Sequence, residues 1–390
     1  MNKDIIILGS TGSIGKSTLR SINKKKNFKI ILLTTNKNIK KIFNQAINYK
    51  VKNVIVEDEV AFNKYKIKFK KKKINLYLGI KYIRKIIKKK TTFCVNAISG
   101  INGLDPTLRA IPLTKNILIA NKESIICGWE LISKKLKKYN TNFIPIDSEH
   151  FSIWKLIKNE KREKIDKIIL TASGGPFLNK SKKKISNIKP SIATKHPNWS
   201  MGKKISIDSS TMMNKVFEFI EAKKIFNLKK DKLSILIQPS SFIHAIVYLN
   251  GEIIKLLAHE PNMIIPISNA LGIKNKKISK ITNGNIKKFN NLNFSIPKVN
   301  NFPLLKILNL IPENETYFEI ILTTLNDNLV NKYLNDRINY ISIQKNLLYF
   351  IRCKFFKKFY KLKPLNINDV KKMIKITNNY LNKNIKLYEK

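Results

Sequence analysis

The sequence predicts an α/β domain first, an α+β domain second and a small helical domain last. Over about the first 150 residues, apolar strand patterns alternate with helical patterns, which is typical of a parallel sheet covered by helices on both faces. From Ile168 the strand and helix patterns no longer alternate regularly, which is typical of an α+β domain. From Phe302 onward helical patterns follow one another without a single glycine.

The strands are predicted from short apolar runs bounded by polar or glycine-containing segments. In the first domain these runs are residues 4–8 (DIIIL), FKIILLTT, VKNVIVE, TTFCVNAIS, KNILIANKE and NFIPIDSE. In the second they lie within IILTASGGPF, SILIQP and AIVYLNGEIIKLLA. The stretch from Gly272 to Asn301 is rich in Lys and Asn and has little periodicity. The expected boundaries are therefore 1–150, 151–271, 272–301 for a linker, and 302–390.

The charge is strongly positive, with 76 Lys and Arg against 25 Asp and Glu and a net charge of +51. Because the lysines are spread along the whole chain beside an excess of Ile and Asn, all three with A/T-rich codons, we favour base-composition drift in a reduced, A/T-rich bacterial genome. Such a field also draws anionic substrates inward. A basic nucleic-acid-binding protein is the alternative, and it predicts salt-sensitive retention on DNA.

The sequence favours a cytoplasmic protein. Three widely separated cysteines, with no CxxC pair, indicate reduced thiols in a reducing compartment. We expect no leader peptide, because the first residues continue directly into a strand pattern. No apolar run reaches the length of a membrane span, so no membrane partner is expected.

Three glycines follow the first strand in the pattern GxxGxxG and precede a helix. Gly9, Gly12 and Gly15 allow a sharp turn and a close approach to a pyrophosphate at a helix N-terminus, as in Rossmann-type domains. NAD-selective domains usually carry a carboxylate at the end of the second strand. Here that position reads Thr34-Thr35-Asn36-Lys37-Asn38, so the sequence predicts NADPH, whose 2′-phosphate Lys37 would attract.

Two acidic segments predict a metal site. Asp147 and Glu149 follow an apolar strand, and residues two apart in an extended chain point the same way. A cation between them would relieve their repulsion, and oxygen ligands suit Mg²⁺ or Mn²⁺. A pair of surface acids bound to lysines is the alternative.

A second segment, Asp208 to Glu218, is expected to begin with a helix N-cap at Asp208 and Ser209. Asn214, Lys215 and Glu218 would then share one face of the helix. Glu218 would complete the metal site, while Ser209, Asn214 and Lys215 suit a phosphate. A plain amphipathic helix with an internal ion pair explains the same pattern.

Two loops complete the set of candidate site segments. Ala172-Ser173-Gly174-Gly175-Pro176 exposes hydroxyl and amide donors after a strand. The segment from Lys195 to Gly202 combines His, Trp and Met in a loop, which is the composition of a lid that closes over a substrate. A loop anchored in the core is the alternative.

Taken together, these segments resemble the 1-deoxy-D-xylulose 5-phosphate reductoisomerase family. The likeness covers residues 4 to 270 in order: GSTGSIG, ANKES, PIDSEH, TASGGPF, KHPNWSMGKKISIDSSTMMNK, FEFIEA, QPSSFIHAIV and HEPNMIIPI. The tail is less similar, with only TTLNDNLVNKYL matching the family. Asn36 departs from the family, which often has glycine there, and this implies at most weaker cofactor binding.

The resemblance implies the following roles. The metal ligands are Asp147, Glu149 and Glu218. The catalytic residues are Lys122, Glu149 and His196. The substrate is bound by these three together with Ser148, Ser173, Ser209, Asn214, Lys215 and Glu218. The cofactor site is lined by Thr11, Gly12, Ser13, Ile14, Asn36, Lys37, Asn38, Asn121, Glu123 and Gly202, and Trp199 and Met201 belong to the flap.

The implied reaction is the rearrangement of 1-deoxy-D-xylulose 5-phosphate and its reduction by NADPH to 2-C-methyl-D-erythritol 4-phosphate, a step toward isoprenoid precursors. Mg²⁺ or Mn²⁺, with Co²⁺ as a further option, would act as template and Lewis acid, and the family implies a homodimer. A metal-independent oxidoreductase resembling homoserine dehydrogenase is one alternative, and an inactive relative is another.

Overall fold

The computed structural model describes residues 3–23, 25–178, 180, 185–199, 201–273 and 283–384, and the chain groups into two compact units. The first consists of Met1–Ile125, Glu130–Phe151 and Met263–Lys277, and the second of Ile126–Trp129, Ser152–Asn262 and Ile278–Lys390. The domain boundaries expected from the sequence stay predictions. Part of the expected linker, residues 274–282, lies outside the described residues.

The first unit is built on a parallel sheet of seven strands in the order β4-β3-β2-β1-β5-β6-β7. The strands are β1 Lys3–Leu8, β2 Phe28–Thr35, β3 Asn53–Val56, β4 Asn75–Leu78, β5 Thr91–Asn96, β6 Thr114–Ile119 and β7 Asn142–Pro145. Residues 5–8 of β1 are fully buried, as expected for a central parallel strand covered on both faces. The parallel sheet predicted from the sequence is confirmed, although the short strand β4 was not among the predicted ones.

The helices share one numbering along the chain. They are α1 Ser13–Ile22, α2 Ile39–Asn48, α3 Glu59–Lys71, α4 Ile83–Ile86, α5 Leu104–Ala110, α6 Lys122–Lys138, α7 Ser148–Leu156, α8 Pro190–Ala193, α9 Lys203–Ser210, α10 Met213–Phe226, α11 Ile264–Ala270, α12 Asn283–Asn290, α13 Tyr317–Leu334, α14 Tyr340–Phe350, α15 Lys354–Lys357 and α16 Ile367–Asn384. Within the described residues, none of them is both long and apolar enough to cross a membrane.

A late segment of the chain completes the core of the first unit. Leu19 and Ile22 of α1 share one apolar cluster with Ile267 of α11 and with Leu271, which follows it. Three of these four side chains are at most 2% exposed, and Ile22 is 4% exposed. The first sheet is therefore covered partly by helix α11, which lies more than a hundred residues after β7 in the sequence.

The second unit contains a four-stranded sheet in the order β11-β10-β8-β9, with β8 Ile165–Ala172, β9 Leu233–Ile237, β10 Ile243–Leu249 and β11 Ile253–Ala258. Strand β8 pairs in parallel with β9 and antiparallel with β10. A tight turn at Asn250-Gly251 joins β10 to β11. Both residues have left-handed backbone angles, with φ of 53° and 73°, and Asn-Gly is favoured in such turns because these two residue types adopt those angles readily.

The C-terminal part of the second unit is helical, as the sequence predicted. Helix α13 begins with a capping box in which the Thr316 hydroxyl accepts from the Phe318 amide at 3.0 Å and Glu319 accepts from the Thr316 amide at 3.0 Å. Tyr333 and Tyr340 are almost fully buried and their ring centroids lie 5.7 Å apart. These interactions stabilise α13 and α14 as a packed pair.

Candidate active site

The β1–α1 turn approaches its neighbours so closely that two of its glycines cannot be replaced without displacing backbone. Gly9 has a φ of 76°, and a Cβ atom there would lie 2.8 Å from the Ala97 carbonyl oxygen. A Cβ atom on Gly15 would lie 2.5 Å from the Gly9 carbonyl oxygen. The turn lies where the strand order reverses, between β1 and β5, which is where open α/β sheets bind nucleotides.

The end of β2 presents polar side chains beside this turn. The Gly9 amide donates to the Thr34 hydroxyl at 2.9 Å, and the hydroxyls of Thr11 and Thr35 lie 2.8 Å apart. Lys37 is 77% exposed, and its ammonium group lies 4.0 Å from Asp58. An exposed cation therefore stands at the position where NAD-selective domains have a carboxylate.

Asn121 orders the loop that precedes α6. Its side-chain oxygen accepts from the Ser124 amide at 2.6 Å and caps the helix. Its side-chain nitrogen donates to the carbonyls of Ile98 at 2.5 Å and Gly100 at 2.7 Å and lies 3.3 Å from Glu123. These bonds hold the Asn121 side chain in place. Its predicted contact with a cofactor, like that of Glu123, stays a prediction.

Lys122, Asp147 and His150 form a charged cluster in the first unit. The Lys122 ammonium group forms an ion pair with Asp147, and Nδ1 of His150 lies 3.2 Å from the same carboxylate oxygen. Burial alone would raise the pKa of Asp147, but the charge of Lys122 and the hydrogen bond from His150 outweigh it and hold that pKa well below its usual range. Asp147 is therefore ionised at neutral pH.

The geometric argument that paired Asp147 with Glu149 was wrong in its premise. Strand β7 ends at Pro145 and α7 begins at Ser148, and the Phe151 amide donates to the Asp147 carbonyl at 2.8 Å. The two acids therefore flank a helix start, because the first helical turn closes there and ends the extended chain. One oxygen of each still lies within 4.8 Å of the other, and the Ser148 hydroxyl donates to Glu149.

In the second unit, Ser173 and His196 are in contact. Nε2 of His196 lies 3.0 Å from the Ser173 hydroxyl. Its Nδ1 accepts from the backbone amides of Asn198 and Trp199, both at 3.1 Å, so the proton of the neutral ring lies on Nε2. Burial lowers the pKa of His196 to about 4. The ring is therefore neutral at pH 7 and donates through Nε2.

The predicted flap contacts the segment that follows β9 and the strand β10. The Asn198 side chain donates to the Pro239 carbonyl at 2.6 Å and to the Ser241 hydroxyl at 3.2 Å. The Trp199 ring packs edge-on against His244, with centroids 6.0 Å apart. Ser200 lies outside the described residues. Gly202 is the N-cap position of α9, and a Cβ atom there would meet nothing within 4 Å.

Asn214, Lys215 and Glu218 interact on one face of α10, as the sequence predicted. The Asn214 side chain donates to Glu218, and the Lys215 ammonium group forms an ion pair with the same carboxylate. Lys215 also donates to the Thr171 carbonyl at 2.6 Å. Lys215 is 4% exposed and Glu218 1% exposed. A buried cation and carboxylate held in this way are preorganised for polar ligands.

The predicted N-cap at Asp208 and Ser209 was wrong. Both residues lie in α9, close to its C-terminus, and α10 begins only at Met213, after Met212 takes a left-handed φ of 63°. The local pattern misleads because residues 203–207 already form a helix, so the polar run falls within α9. Ser209 therefore precedes the break between two helices instead of starting one.

Two tail residues that contact this segment were not predicted from the sequence. Asn326 of α13 binds Asp208, and Tyr340 of α14 binds Ser210. The only signal was the segment TTLNDNLVNKYL, which contains Asn326. No pattern singled out Tyr340.

Family models match most of the chain. The model described as 1-deoxy-D-xylulose 5-phosphate reductoisomerase matches residues 5–128, and that of its C-terminal domain matches residues 143–226. A further model, DXP reductoisomerase C-terminal domain, matches residues 259–379. The tail therefore matches the family as well, although the sequence showed little likeness there.

Curated relatives agree along their whole length. The 1-deoxy-D-xylulose 5-phosphate reductoisomerase of Pelagibacter ubique is 50% identical over 376 residues, covering 95% of this chain and 96% of that protein. The enzyme of the same name from Clostridium botulinum (strain Loch Maree / Type A3) is 35% identical over 388 residues, covering 98% of this chain and 99% of that protein.

Solved structures give the same result. The 1-deoxy-D-xylulose 5-phosphate reductoisomerase of Zymomonas mobilis in complex with NADPH has a TM-score of 0.88 at 27% identity and covers 100% of both chains. A DOX-P reductoisomerase in complex with NADPH, fosmidomycin and magnesium has a TM-score of 0.88 at 30% identity, covering 99% of this chain and 98% of that one. The predicted family and fold class are confirmed, and this chain belongs to the 1-deoxy-D-xylulose 5-phosphate reductoisomerase family.

Proposed function

We propose that this chain converts 1-deoxy-D-xylulose 5-phosphate into 2-C-methyl-D-erythritol 4-phosphate, with NADPH as the reductant and a divalent cation as cofactor. The observation that carries the proposal is the ionised Asp147, held beside Lys122 and His150 and within 4.8 Å of Glu149. Family membership and the NADPH and magnesium complexes of its solved relatives support the same activity.

The metal ligands in this proposal are Asp147, Glu149 and Glu218. All three offer carboxylate oxygens, which are the donors that Mg²⁺ prefers. Asp147 needs no deprotonation before it binds a cation, because Lys122 and His150 already favour its charged form. Magnesium accompanies the relatives, while Mn²⁺ and Co²⁺ stay predictions for this chain.

The substrate's phosphate is assigned to Ser209, Asn214 and Lys215. A buried ammonium group such as that of Lys215 attracts an anion strongly, because little water screens its charge. Glu218 and the Thr171 carbonyl hold this group in one position before any ligand arrives. Binding a phosphate remote from the reacting carbons orients the rest of the substrate.

Lys122, Glu149 and His196 are assigned to the reacting part of the substrate, with Ser148 and Ser173 beside them. His196 is neutral and keeps its proton on Nε2, so it serves as a hydrogen-bond donor to a substrate oxygen. Lys122 holds a positive charge next to Asp147. When bound, the cation polarises the substrate's oxygens as a Lewis acid and NADPH supplies the hydride.

The cofactor is assigned to the glycine turn and the end of β2. Thr11, Gly12, Ser13 and Ile14 offer backbone and side-chain donors at the start of α1, where a pyrophosphate is stabilised. The exposed groups of Asn36, Lys37 and Asn38 favour the 2′-phosphate of NADPH over a free ribose hydroxyl. Asn121, Glu123 and Gly202 complete the proposed contacts.

NADPH oxidation measured by absorbance tests the proposal. The purified chain is mixed with NADPH and 1-deoxy-D-xylulose 5-phosphate, with Mg²⁺ or with a chelator, and the product is identified by mass spectrometry. Oxidation that depends on both substrate and Mg²⁺ is expected. Turnover that persists in the chelator would remove the metal from the mechanism, and no turnover under either condition would refute the proposed activity.

We further propose that the enzyme is a homodimer in the bacterial cytoplasm. Light scattering on the purified chain measures its mass directly. A mass equal to the monomer mass of 45.2 kDa at assay concentrations would contradict the dimer.

A further inference from the structure

The turn between α9 and α10 holds a residue in an unfavourable conformation. Met212 has a φ of 63° and is 2% exposed. Left-handed angles are costly for a residue with a long side chain, and they persist only where the surroundings impose them. Asn214 and Lys215 lie two and three positions after Met212, and Ser209 lies three positions before it. The positions of all three depend on what holds this turn.

Asp208 supplies one anchor. It is 2% exposed and lies near the C-terminus of α9, where the helix dipole disfavours a negative charge. Its Oδ1 accepts from the side-chain nitrogen of Asn326, which is fully buried, at 2.8 Å. Lys204 lies 3.3 Å from Asp208 and 2.8 Å from Asp327. Helix α13 therefore fixes the end of α9 through a buried hydrogen bond to a charged group.

Tyr340 supplies a second anchor. Its hydroxyl donates to the Ser210 hydroxyl at 2.9 Å, and burial raises the pKa of Tyr340, so the donor keeps its proton. The Tyr340 ring also packs edge-on against Phe177, with centroids 5.2 Å apart. A Cβ atom on Gly175 would lie 2.9 Å from Cα of Ser210. Ser210 therefore packs closely against the loop that carries Ser173 and is held by α14.

We propose that Asn326 and Tyr340 are positioning residues that hold the Ser209–Met213 turn in the shape that binds the substrate's phosphate. Neither residue touches the reacting atoms in this proposal, which rests on the phosphate role assigned to Ser209, Asn214 and Lys215. A hydrogen bond from each residue restrains the helix end beside a strained turn. Without these bonds the turn relaxes, and the phosphate donors no longer converge.

The test uses Asn326→Leu and Tyr340→Phe in the full chain, each with a matched control. Asn328→Leu changes the same residue type on α13, where the Asn328 side chain donates at 2.8 Å to Thr324 and to Asn378. Tyr360→Phe removes a partly buried tyrosine hydroxyl that donates to the Ile351 carbonyl at 2.5 Å. Neither control touches residues 208–215, so both report general damage to the helical tail.

Two constants are measured: KM for 1-deoxy-D-xylulose 5-phosphate, and the dissociation constant of inorganic phosphate by calorimetry. Asn326→Leu should raise both by on the order of tenfold, as the loss of a hydrogen bond to a charged group implies, and Tyr340→Phe should raise both by a smaller factor. NADPH affinity should stay as in the parent. The controls should leave both constants unchanged.

A swap gives the rescue. Asp208→Asn combined with Asn326→Asp restores one donor and one acceptor beside Lys204, and it should recover much of the phosphate affinity lost in Asn326→Leu. Unchanged constants in Tyr340→Phe, or equal changes in the controls, would overturn the inference. Tyr340→Phe carries the test if Asn326→Leu does not fold. A parent that binds phosphate without turnover would refute the proposed reaction alone.

Discussion

The protonation of His196 should make the protein less stable in mild acid. Its pKa is lowered from 6.5 to about 4, mainly by burial, and two backbone amides already point at Nδ1, where the second proton would go. Between these values the unfolded chain binds more protons than the folded protein. The contribution of neutral His196 to the free energy of unfolding is therefore fully present above pH 6.5 and is lost as the pH decreases toward 4. Below pH 4 this group causes no further loss.

The size of the effect follows from the shift. A pKa lowered from 6.5 to about 4, at about 1.4 kcal/mol per unit, would correspond to about 3 kcal/mol for a fully buried ring. Because His196 is only partly buried, solvent screening reduces the expected loss in the free energy of unfolding to about 2 kcal/mol. His196→Asn keeps an acceptor for the two amides and has no charge at any pH. The variant should therefore lose about 2 kcal/mol less than the parent between neutral pH and pH 4.

Urea unfolding of parent and variant at a series of pH values measures this difference, and titration of the imidazole signals by NMR gives the pKa directly. The chain contains only four histidines, so the His196 signal can be assigned from the spectrum of His196→Asn. Parallel stability curves for the two proteins, or a His196 pKa near 6.5, would refute the reasoning.

Three further predictions concern the metal, the cofactor and the flap. Asp147→Asn and Glu218→Gln should each abolish turnover while NADPH affinity, measured by fluorescence, is retained, because an amide keeps the shape but weakens the hold on a hard cation; Glu160→Gln, which removes a surface carboxylate paired with Lys255, is the control, and metal-dependent activity in either variant would exclude that residue from the site. Lys37→Glu should lower the ratio of kcat/KM with NADPH to that with NADH, and equal use of both cofactors by the parent would contradict the NADPH assignment. Trp199→Ala should lower kcat/KM by an amount that corresponds to a loss of transition-state stabilisation on the order of 1–3 kcal/mol, with little change in NADPH affinity. Unchanged kinetics would argue against a lid, and a large drop in Tm would show that Trp199 packs in the core.

Much of the fold could be predicted because its signals are local. Runs such as DIIIL and FKIILLTT are short, β-branched and bounded by turn residues, and they became β1 and β2. Strand β4 was not predicted because Asn75–Leu78 is only four residues long and only partly apolar. Such a segment forms a strand only because β3 offers it a partner, and that pairing cannot be read from the segment itself.

The geometry of the candidate site could be predicted only in part, and the roles assigned to its residues stay predictions. Asn214 and Glu218 were placed on one helix face because their spacing fixes it. The helix starts near residues 147 and 212 were misjudged, because polar residues serve equally as strand ends, N-caps or helix termini. The contacts of Asn326 and Tyr340 could not be predicted, since their partners lie 118 and 130 positions away in the sequence. Asn326 lies in the family-like segment TTLNDNLVNKYL, and no pattern singled out Tyr340.

The segment Met263–Lys277, which completes the first unit, has a consequence for how the protein is made. A ribosome must synthesise more than two thirds of the chain before Ile267 and Leu271 become available to cover Leu19 and Ile22. Until then the nascent first unit exposes an apolar stripe on α1, a surface on which chaperones act. The same dependence means that a fragment ending near residue 150 would lack part of its own core and tend to aggregate.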